Sequence, residues 1–197
     1  MQTEINHTKP NAIKTYSEIE LVEALRKGNK RAMQTLYDIY SGYLTAVCSR
    51  YIPNNQDLKD VLQESFIKIF TKIETFTFKG EGSLRGWCSR IVVNESLMFL
   101  RNVKKEGFIT NMERLPETET DNEELGSEKV PQAALQEMIR NLPAGYRAVL
   151  NLYVFEDKSH REIAQLLDIK EDTSASQLHR AKKVLAKMIK EYNNNNR

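Results

Sequence analysis

The stretch Ser159–Ala181 reads SHREIAQLLDIKEDTSASQLHRA and decides the fold of the C-terminal part of the chain. Ser159 and Glu162 form an S-x-x-E pattern, which caps the free amides at the start of a helix. Asp168 stands where a tight turn needs a left-handed backbone, and aspartate tolerates that conformation better than most residues. A longer helix is expected to follow, over about residues 172–191. The stretch therefore predicts two helices joined by a short turn.

The longer of these two helices carries two different faces. Its apolar positions fall on one side, at Leu178, Ala181, Leu185, Met188 and Ile189. Hydroxyl and cationic residues lie near the opposite side, at Thr173, Ser176, Arg180, Lys183 and Lys187. This layout is typical of a DNA recognition helix, whose first turns meet base edges while nearby cations meet phosphates. The alternative is a solvated basic face on an ordinary amphipathic helix, and charge alone does not separate the two.

The N-terminal half of the chain also has a helical period. Apolar residues recur every three or four positions from Ser17 onward. The breaks in this pattern fall at Gly28-Asn29, at Pro53-Asn54-Asn55 and at Lys79–Ser83. Asp57 is expected to cap a helix that reaches about Glu74, and the next helix is expected to run from about Leu84 to Lys104.

The whole pattern predicts an all-α protein with two helical domains joined by a flexible acidic linker, because no segment shows sustained strand alternation. We call residues 17–105 the N-terminal lobe and residues 131–192 the C-terminal lobe. Ahead of the capped helix pair, the C-terminal lobe has two more predicted helices, Gln132–Asn141 and Tyr146–Phe155. Residues 106–130 hold eight acidic side chains and are the predicted linker. Residues 1–16 and 193–197 are expected to be disordered tails.

Composition excludes several classes of protein. Hydrophobic residues make up 40% and charged residues 28% of the chain, which is ordinary for a globular protein, and the net charge is only +2. Apolar runs are far shorter than the roughly 20 residues that span a bilayer, and Met1–Lys9 has no signal-peptide core, so we expect a cytoplasmic protein without membrane insertion. Cys48 and Cys88 lack metal-ligand spacing and are expected to be reduced core thiols.

The C-terminal lobe resembles region 4 of the extracytoplasmic-function (ECF) RNA polymerase sigma factors, which belong to the sigma-70 family. The resemblance runs from Leu142-Pro143 and Tyr146-Arg147 through Ser159–Ala164 to Ser176–Ala181. It implies that the promoter −35 element is contacted by Thr173, Ser176, Gln177, His179, Arg180 and Lys183. Among these, Arg180 can offer a bidentate fork to guanine, and Gln177 can pair with adenine. Two positions depart from the family pattern, which usually has Gly at 172 and Lys or Arg at 175. Asp172 and Ala175, which stand there in this chain, are expected to weaken or redirect the DNA contact without abolishing it.

In the N-terminal lobe, the stretch Asp60–Phe66 resembles region 2.2 of the same family. The helix around it has a broad apolar stripe, which core packing explains, so any function belongs to its polar face. The resemblance implies that this face docks on the β′ clamp helices of the polymerase core. The implied docking residues are Asp60, Gln63, Glu64 and Lys68.

Further along the N-terminal lobe, residues 76–101 resemble regions 2.3 and 2.4, which recognise and melt the promoter −10 element. An opened strand needs a place to hold an unstacked base, and a glycine-flanked loop beside aromatic and basic groups provides one. The implied −10 contacts are Phe78, Lys79, Gly80, Ser83, Arg85, Arg90, Asn94 and Arg101. Trp87 is expected to belong to the core rather than to a stacking platform.

The resemblance implies a sigma factor that binds core polymerase and promoter DNA, is monomeric when free, and has an anti-sigma factor as a possible partner. A stand-alone helix-turn-helix regulator, such as a LuxR-like protein, is the alternative, and it leaves the docking helix unexplained. The acidic linker is expected either to mimic nucleic acid in the polymerase channel or to be a solvated tether. No P-loop, GxSxG or HExxH motif is present, so we expect no enzymatic activity, metal or cofactor.

Overall fold

The computed structural model describes residues 16–105 and 130–196, and within these residues it is all-α, as predicted. Four helices form the N-terminal lobe: α1 (Glu18–Arg26), α2 (Lys30–Ser49), α3 (Asn55–Lys72) and α4 (Ser83–Lys105). Four form the C-terminal lobe: α5 (Gln132–Arg140), α6 (Ala144–Val154), α7 (His160–Leu167) and α8 (Glu171–Asn195). The predicted linker and N-terminal tail lie outside the described residues, apart from Val130 and Tyr16. None of the described helices has both the length and the apolarity needed to cross a bilayer.

The start of α3 differs from the prediction. Its cap is Asn54, whose Oδ1 accepts hydrogen bonds from the amides of Gln56 (2.8 Å) and Asp57 (3.1 Å). Asp57 therefore lies in the first turn and is not the cap. Asparagine and aspartate cap helices equally well, so the residue directly after Pro53 takes the position. The helix ends at Lys72, followed by a 3-10 turn at Ile73–Thr75.

Helices α2, α3 and α4 enclose the core of the N-terminal lobe. Its fully buried side chains include Leu36, Leu44, Ile69, Leu84 and Leu97. Cys48 and Cys88 are free, buried thiols, as predicted. Burial raises the pKa of both thiols, to about 12 for Cys88, so neither ionises near neutral pH.

In the C-terminal lobe, α6, α7 and α8 pack around Ile163. The predicted capping box is present at the start of α7, and Asp168 has the predicted left-handed backbone, with φ 54° and ψ 56°. Helix α8 continues to Asn195, past the end expected near residue 191 and into the expected tail. Tyr192 packs against the core there, which sustains the helix despite the poor helix propensity of asparagine.

The two lobes contact each other at the end of α2. Three side chains of the C-terminal lobe donate to carbonyl oxygens of the N-terminal lobe: Asn151 Nδ2 to Arg50 (2.7 Å), Arg147 Nε to Tyr51 (3.2 Å) and Arg140 Nη2 to Pro53 (3.0 Å). The Arg50 guanidinium also lies 4.7 Å from the centre of the Phe155 ring. Carbonyl groups at a helix end have no partner within the helix, so these donors satisfy groups that otherwise need water.

Candidate nucleic-acid interface

The outward face of α8 is polar and accessible over its first half. Ser176 and His179 are exposed, and Thr173, Arg180 and Lys183 are partly exposed. These five predicted −35 contacts therefore lie on one accessible side of the helix. On the opposite side, Ser174 Oγ lies 3.0 Å from His160 Nδ1, which joins α8 to the start of α7.

Gln177 lies elsewhere than the sequence suggested. Gln177 is only 7% exposed and lies on the buried side of α8 with Leu178 and Ala181. Its Oε1 is buried and has no hydrogen-bond partner within the described residues. As placed here, Gln177 cannot reach an adenine. The helical period accounts for this, because position 177 lies only about 40° from the buried position 181 and about 60° from the buried position 174 around the helix.

The first turn of α8 is acidic. Glu171 and Asp172 are exposed there, and Lys170, the residue before the helix, makes no side-chain cap. Carboxylates at a helix N-terminus interact favourably with the helix dipole. Ser176 follows Asp172 by four residues, and His179 follows Ser176 by three. Asp172 therefore lies on the same side of the helix as these two residues, the side proposed to meet DNA. The carboxylate of Asp172 therefore stabilises α8 but also repels the phosphates of bound DNA.

The segment Lys79–Ser83, here called the glycine loop, has a defined backbone. Gly80 and Gly82 have φ values of 110° and 84°, which side chains other than glycine rarely allow. Ser83 Oγ accepts a hydrogen bond from the Lys79 amide at 3.2 Å. Next to the loop, Phe78 and Trp87 are partly buried and pack against the core. The Trp87 ring lies 5.4 Å from that of Phe76, in keeping with the prediction that Trp87 belongs to the core.

Helix α4 contains five of the predicted −10 contacts and brings three of them together on one exposed face. Arg90, Asn94 and Arg101 are exposed, and at about 100° per residue they fall within about 40° of each other around the helix. Arg85 is about 140° away from Arg90 by the same geometry. Its guanidinium lies 3.8 Å from the centre of the Tyr43 ring on α2. The structure thus groups three residues into one polar face and places Arg85 on another side of the helix.

The polar face of α3 contains exposed Asp60, Gln63 and Glu64, as predicted. Lys68 has a different role in the structure. Its Nζ lies 2.6 Å from the buried Glu95 carboxylate of α4 and 3.8 Å from Glu64, and its side chain is 26% exposed. A buried carboxylate needs such a partner, so Lys68 joins α3 to α4 in addition to bordering the face.

An open groove of about 430 Å³ lies between α2 and α3, beside this face. Its lining residues are Tyr37, Ser41, Thr45, Lys59, Leu62, Gln63, Phe66, Ile67 and Phe70. Tyr37 is 49% exposed and Ile67 is 48% exposed. Sequence reasoning missed these two residues, although Ile67 falls outside the apolar stripe of its helix and could have signalled a contact surface.

Comparison with known proteins identifies both lobes. The Sigma-70 region 2 family model matches residues 36–106, and the Sigma-70, region 4 model matches residues 132–185. The ECF RNA polymerase sigma-E factor of Haemophilus influenzae is 29% identical over 180 residues, covering 86% of this chain and 93% of that protein. The ECF RNA polymerase sigma factor SigW of Bacillus subtilis is 26% identical, covering 86% and 95%. The chain belongs to the ECF group of the sigma-70 family.

The family models confirm the order of regions predicted for this ECF sigma factor, with region 2 in the N-terminal lobe and region 4 in the C-terminal lobe. A solved structure of the sigma factor RpoE in complex with the anti-sigma factor NepR from Bartonella quintana covers 80% of this chain and 96% of that one. The sequence identity is 18% and the TM-score 0.46.

Proposed function

We propose that this ECF sigma factor binds core RNA polymerase and directs it to promoters that carry −10 and −35 elements. The observation that supports this most is the presence of both sigma regions, in order, on one chain, together with the polar accessible face of α8. The face offers Arg180 and His179 to base edges and Lys183 to phosphates, as a recognition helix in a major groove requires.

Recognition of the −10 element is assigned to the glycine loop and the polar face of α4. An unstacked base needs a site with hydrogen-bond donors and acceptors beside an aromatic group. Phe78 directly precedes the glycine loop, and Ser83 is its last residue. Arg90 and Arg101 follow along α4, where they attract the backbone of the opened strand. Arg85 lies apart from these two residues, because its guanidinium packs on the Tyr43 ring on another side of the helix.

The surface that docks on core polymerase is assigned to α3. Its polar contacts are Asp60, Gln63 and Glu64. Gln63 also lines the groove between α2 and α3. Docking of the β′ clamp helices across the polar face of α3 and this groove would bury the exposed side chains of Tyr37 and Ile67. Stable interfaces typically have such an apolar centre surrounded by a polar rim. Lys68 contributes indirectly, by holding α3 against α4.

Sigma factors are transcription initiation factors without catalytic activity, and we assign none to this chain. It is proposed to act in the cytoplasm, where the polymerase works, as a monomer without metal or cofactor. An anti-sigma factor as a further partner belongs to this proposal as well.

Run-off transcription with purified core polymerase tests the function directly. The expected result is a specific transcript from a cognate promoter only when this chain is added. Binding to core polymerase should be measured alongside. A chain that binds promoter DNA but neither associates with the core nor supports transcription would be a stand-alone helix-turn-helix regulator instead.

A further inference from the structure

Glu18, the first residue of α1, accepts hydrogen bonds from the end of the glycine loop and the start of α4. Its Oε2 accepts a hydrogen bond from the Gly82 amide at 2.8 Å. Its Oε1 accepts from the Leu84 amide at 2.8 Å and from Ser83 Oγ at 3.1 Å. One carboxylate therefore binds three consecutive residues where the loop becomes α4.

This carboxylate replaces a cap that the local sequence does not provide. The first amides of a helix lack partners within the helix, and a side-chain oxygen of the preceding residue normally accepts from them. The residue before α4 is Gly82, which has no side chain. The Ser83 hydroxyl already accepts from the Lys79 amide. The cap comes instead from a residue more than sixty positions earlier in the chain.

The other end of α1 holds the same segment. Arg26 Nη2 donates to the Phe76 carbonyl oxygen, and Arg26 Nε lies 4.0 Å from the Glu74 carboxylate. Helix α1 therefore fixes the chain before the loop through Arg26 and after it through Glu18. This helix precedes residues 36–106, the part matched by the region 2 family model.

We propose that Glu18 is a positioning residue for −10 strand opening, which it serves by holding the glycine loop in the conformation that receives an unstacked base. The inference rests on the proposed function of this loop. A loop that is already ordered does not lose conformational freedom when the base enters, so less of the binding free energy is spent on ordering. The carboxylate also occupies the amides of the α4 N-terminus, which would otherwise attract a phosphate.

Charge and positioning predict opposite results for the loss of Glu18. If only charge matters, removing an acid beside a DNA-binding loop strengthens DNA binding at low salt. If Glu18 positions the loop, strand opening falls, because Gln cannot accept all three bonds. The matched control is Glu23→Gln, which removes an exposed carboxylate from the same helix.

The experiment uses polymerase holoenzyme reconstituted with wild type, E18Q, E18D or E23Q. Opening is followed by the fluorescence of 2-aminopurine placed in the −10 element, and core affinity and thermal midpoint are measured for each variant. We expect E18Q to open DNA about tenfold more slowly, with E18D in between and E23Q at the wild-type rate, all with wild-type core affinity. Binding of E18Q holoenzyme to a single-stranded −10 oligonucleotide should fall in parallel.

Equal opening rates for E18Q and E23Q would overturn the inference. So would a loss of opening in E18Q matched by an equal loss of core affinity or by a collapse of the thermal midpoint in both E18Q and E18D, since a merely structural role has that signature. A wild-type holoenzyme that opens no promoter would instead overturn the proposed function, so the two failures are distinguishable.

Discussion

At the scale of single residues, Arg180 is the side chain of α8 best suited to read a base, because a guanidinium fork matches the two acceptors of guanine. Replacing Arg180 with Ala should cost about 1–3 kcal/mol of −35 binding and relax discrimination at one base pair. Holoenzyme binding to promoters that differ at each −35 position measures this. The control is Lys187→Ala further along α8, expected to weaken all sequences alike. Equal losses on every sequence for R180A would contradict base reading.

Asp172 is a second single-residue test on the same helix. Asp172→Asn should raise −35 affinity about threefold at low salt, because it removes a negative charge from the DNA-facing end of α8. The gain should be similar for all promoter sequences and shrink as salt is added. Loss of the interaction with the helix dipole should cost about 0.3–1 kcal/mol of stability. Glu23→Gln, which removes an exposed carboxylate from α1 in the other lobe, is the control, and the same gain in that variant would contradict the assignment.

At the scale of elements, the capping box that starts α7 makes the C-terminal lobe sensitive to acid. Hydrogen bonds from the Ser159 amide and hydroxyl and from Lys158 lower the pKa of the exposed Glu162 carboxyl to about 2. Because this pKa is depressed, the stabilisation is complete above the ordinary value of 4.5 and is lost as pH falls through about 2.

Ser159→Ala should destabilise the protein by about 1 kcal/mol at neutral pH through loss of the cap. It should also raise the pKa of Glu162 towards its ordinary value, because one of its hydrogen-bond donors is gone. Urea unfolding measures the first effect and an NMR titration of the Glu162 carboxyl the second. Ser176→Ala, which removes an exposed hydroxyl from α8, serves as the control. A Glu162 pKa that stays near 2 in S159A would show that the hydroxyl does not hold the carboxylate.

The polar face of α3 is tested as a unit. Charge reversal of Asp60 and Glu64 to Lys should weaken core polymerase capture by about tenfold or more, because like charges at an interface repel. The DNA contacts of α8 are expected to survive, since both residues lie on α3 in the other lobe. A control with Glu23 and Glu191 changed to Lys carries the same net charge change on other helices. Fluorescence titration with labelled core polymerase compares them, and unchanged capture by the Asp60/Glu64 variant would remove this docking surface.

Local patterns predicted most of the elements and fewer of the contacts. The capping box of α7 and the left-handed Asp168 depend on neighbouring residues, so the sequence contained them in full. The Asn54 cap was missed because two good capping residues stand three positions apart. The chemistry of Gln177 suits a base, but its position on the helix places it on the buried side, which residue type alone does not reveal.

At the scale of the whole molecule, the contacts that the sequence did not reveal are the ones between distant segments. Glu18 at the glycine loop and Arg147 at Tyr51 are set by how helices pack, and no spacing in the chain marks them. Arg147 is 5% exposed and also donates to the carbonyl oxygens of Arg140 and Leu142. Burial lowers the pKa of its guanidinium to about 10, so it remains charged at neutral pH.

The contact between the lobes conflicts with the proposal that one lobe recognises the −10 element while the other recognises the −35 element. Elements about 25 base pairs apart are separated by about 85 Å of duplex at about 3.4 Å per base pair. A compact chain of this length has a radius of gyration of only about 16 Å, so its two lobes cannot reach both elements while they are packed together. We therefore expect the interlobe hydrogen bonds to break before the holoenzyme engages a promoter.

Replacing Arg50, Arg140 and Asn151 with Ala should therefore favour the separated lobes. The variant loses the interlobe hydrogen bonds of Arg140 and Asn151 and the contact of the Arg50 guanidinium with the Phe155 ring. Each is worth about 1 kcal/mol, so the balance should move towards separation by well over tenfold. Arg147 is left in place because it also holds its own lobe together. Small-angle X-ray scattering of the free chain should show a larger radius of gyration in this variant than in a control with exposed Arg31, Arg161 and Asn194 changed to Ala. Identical radii would mean that these contacts do not keep the free lobes together.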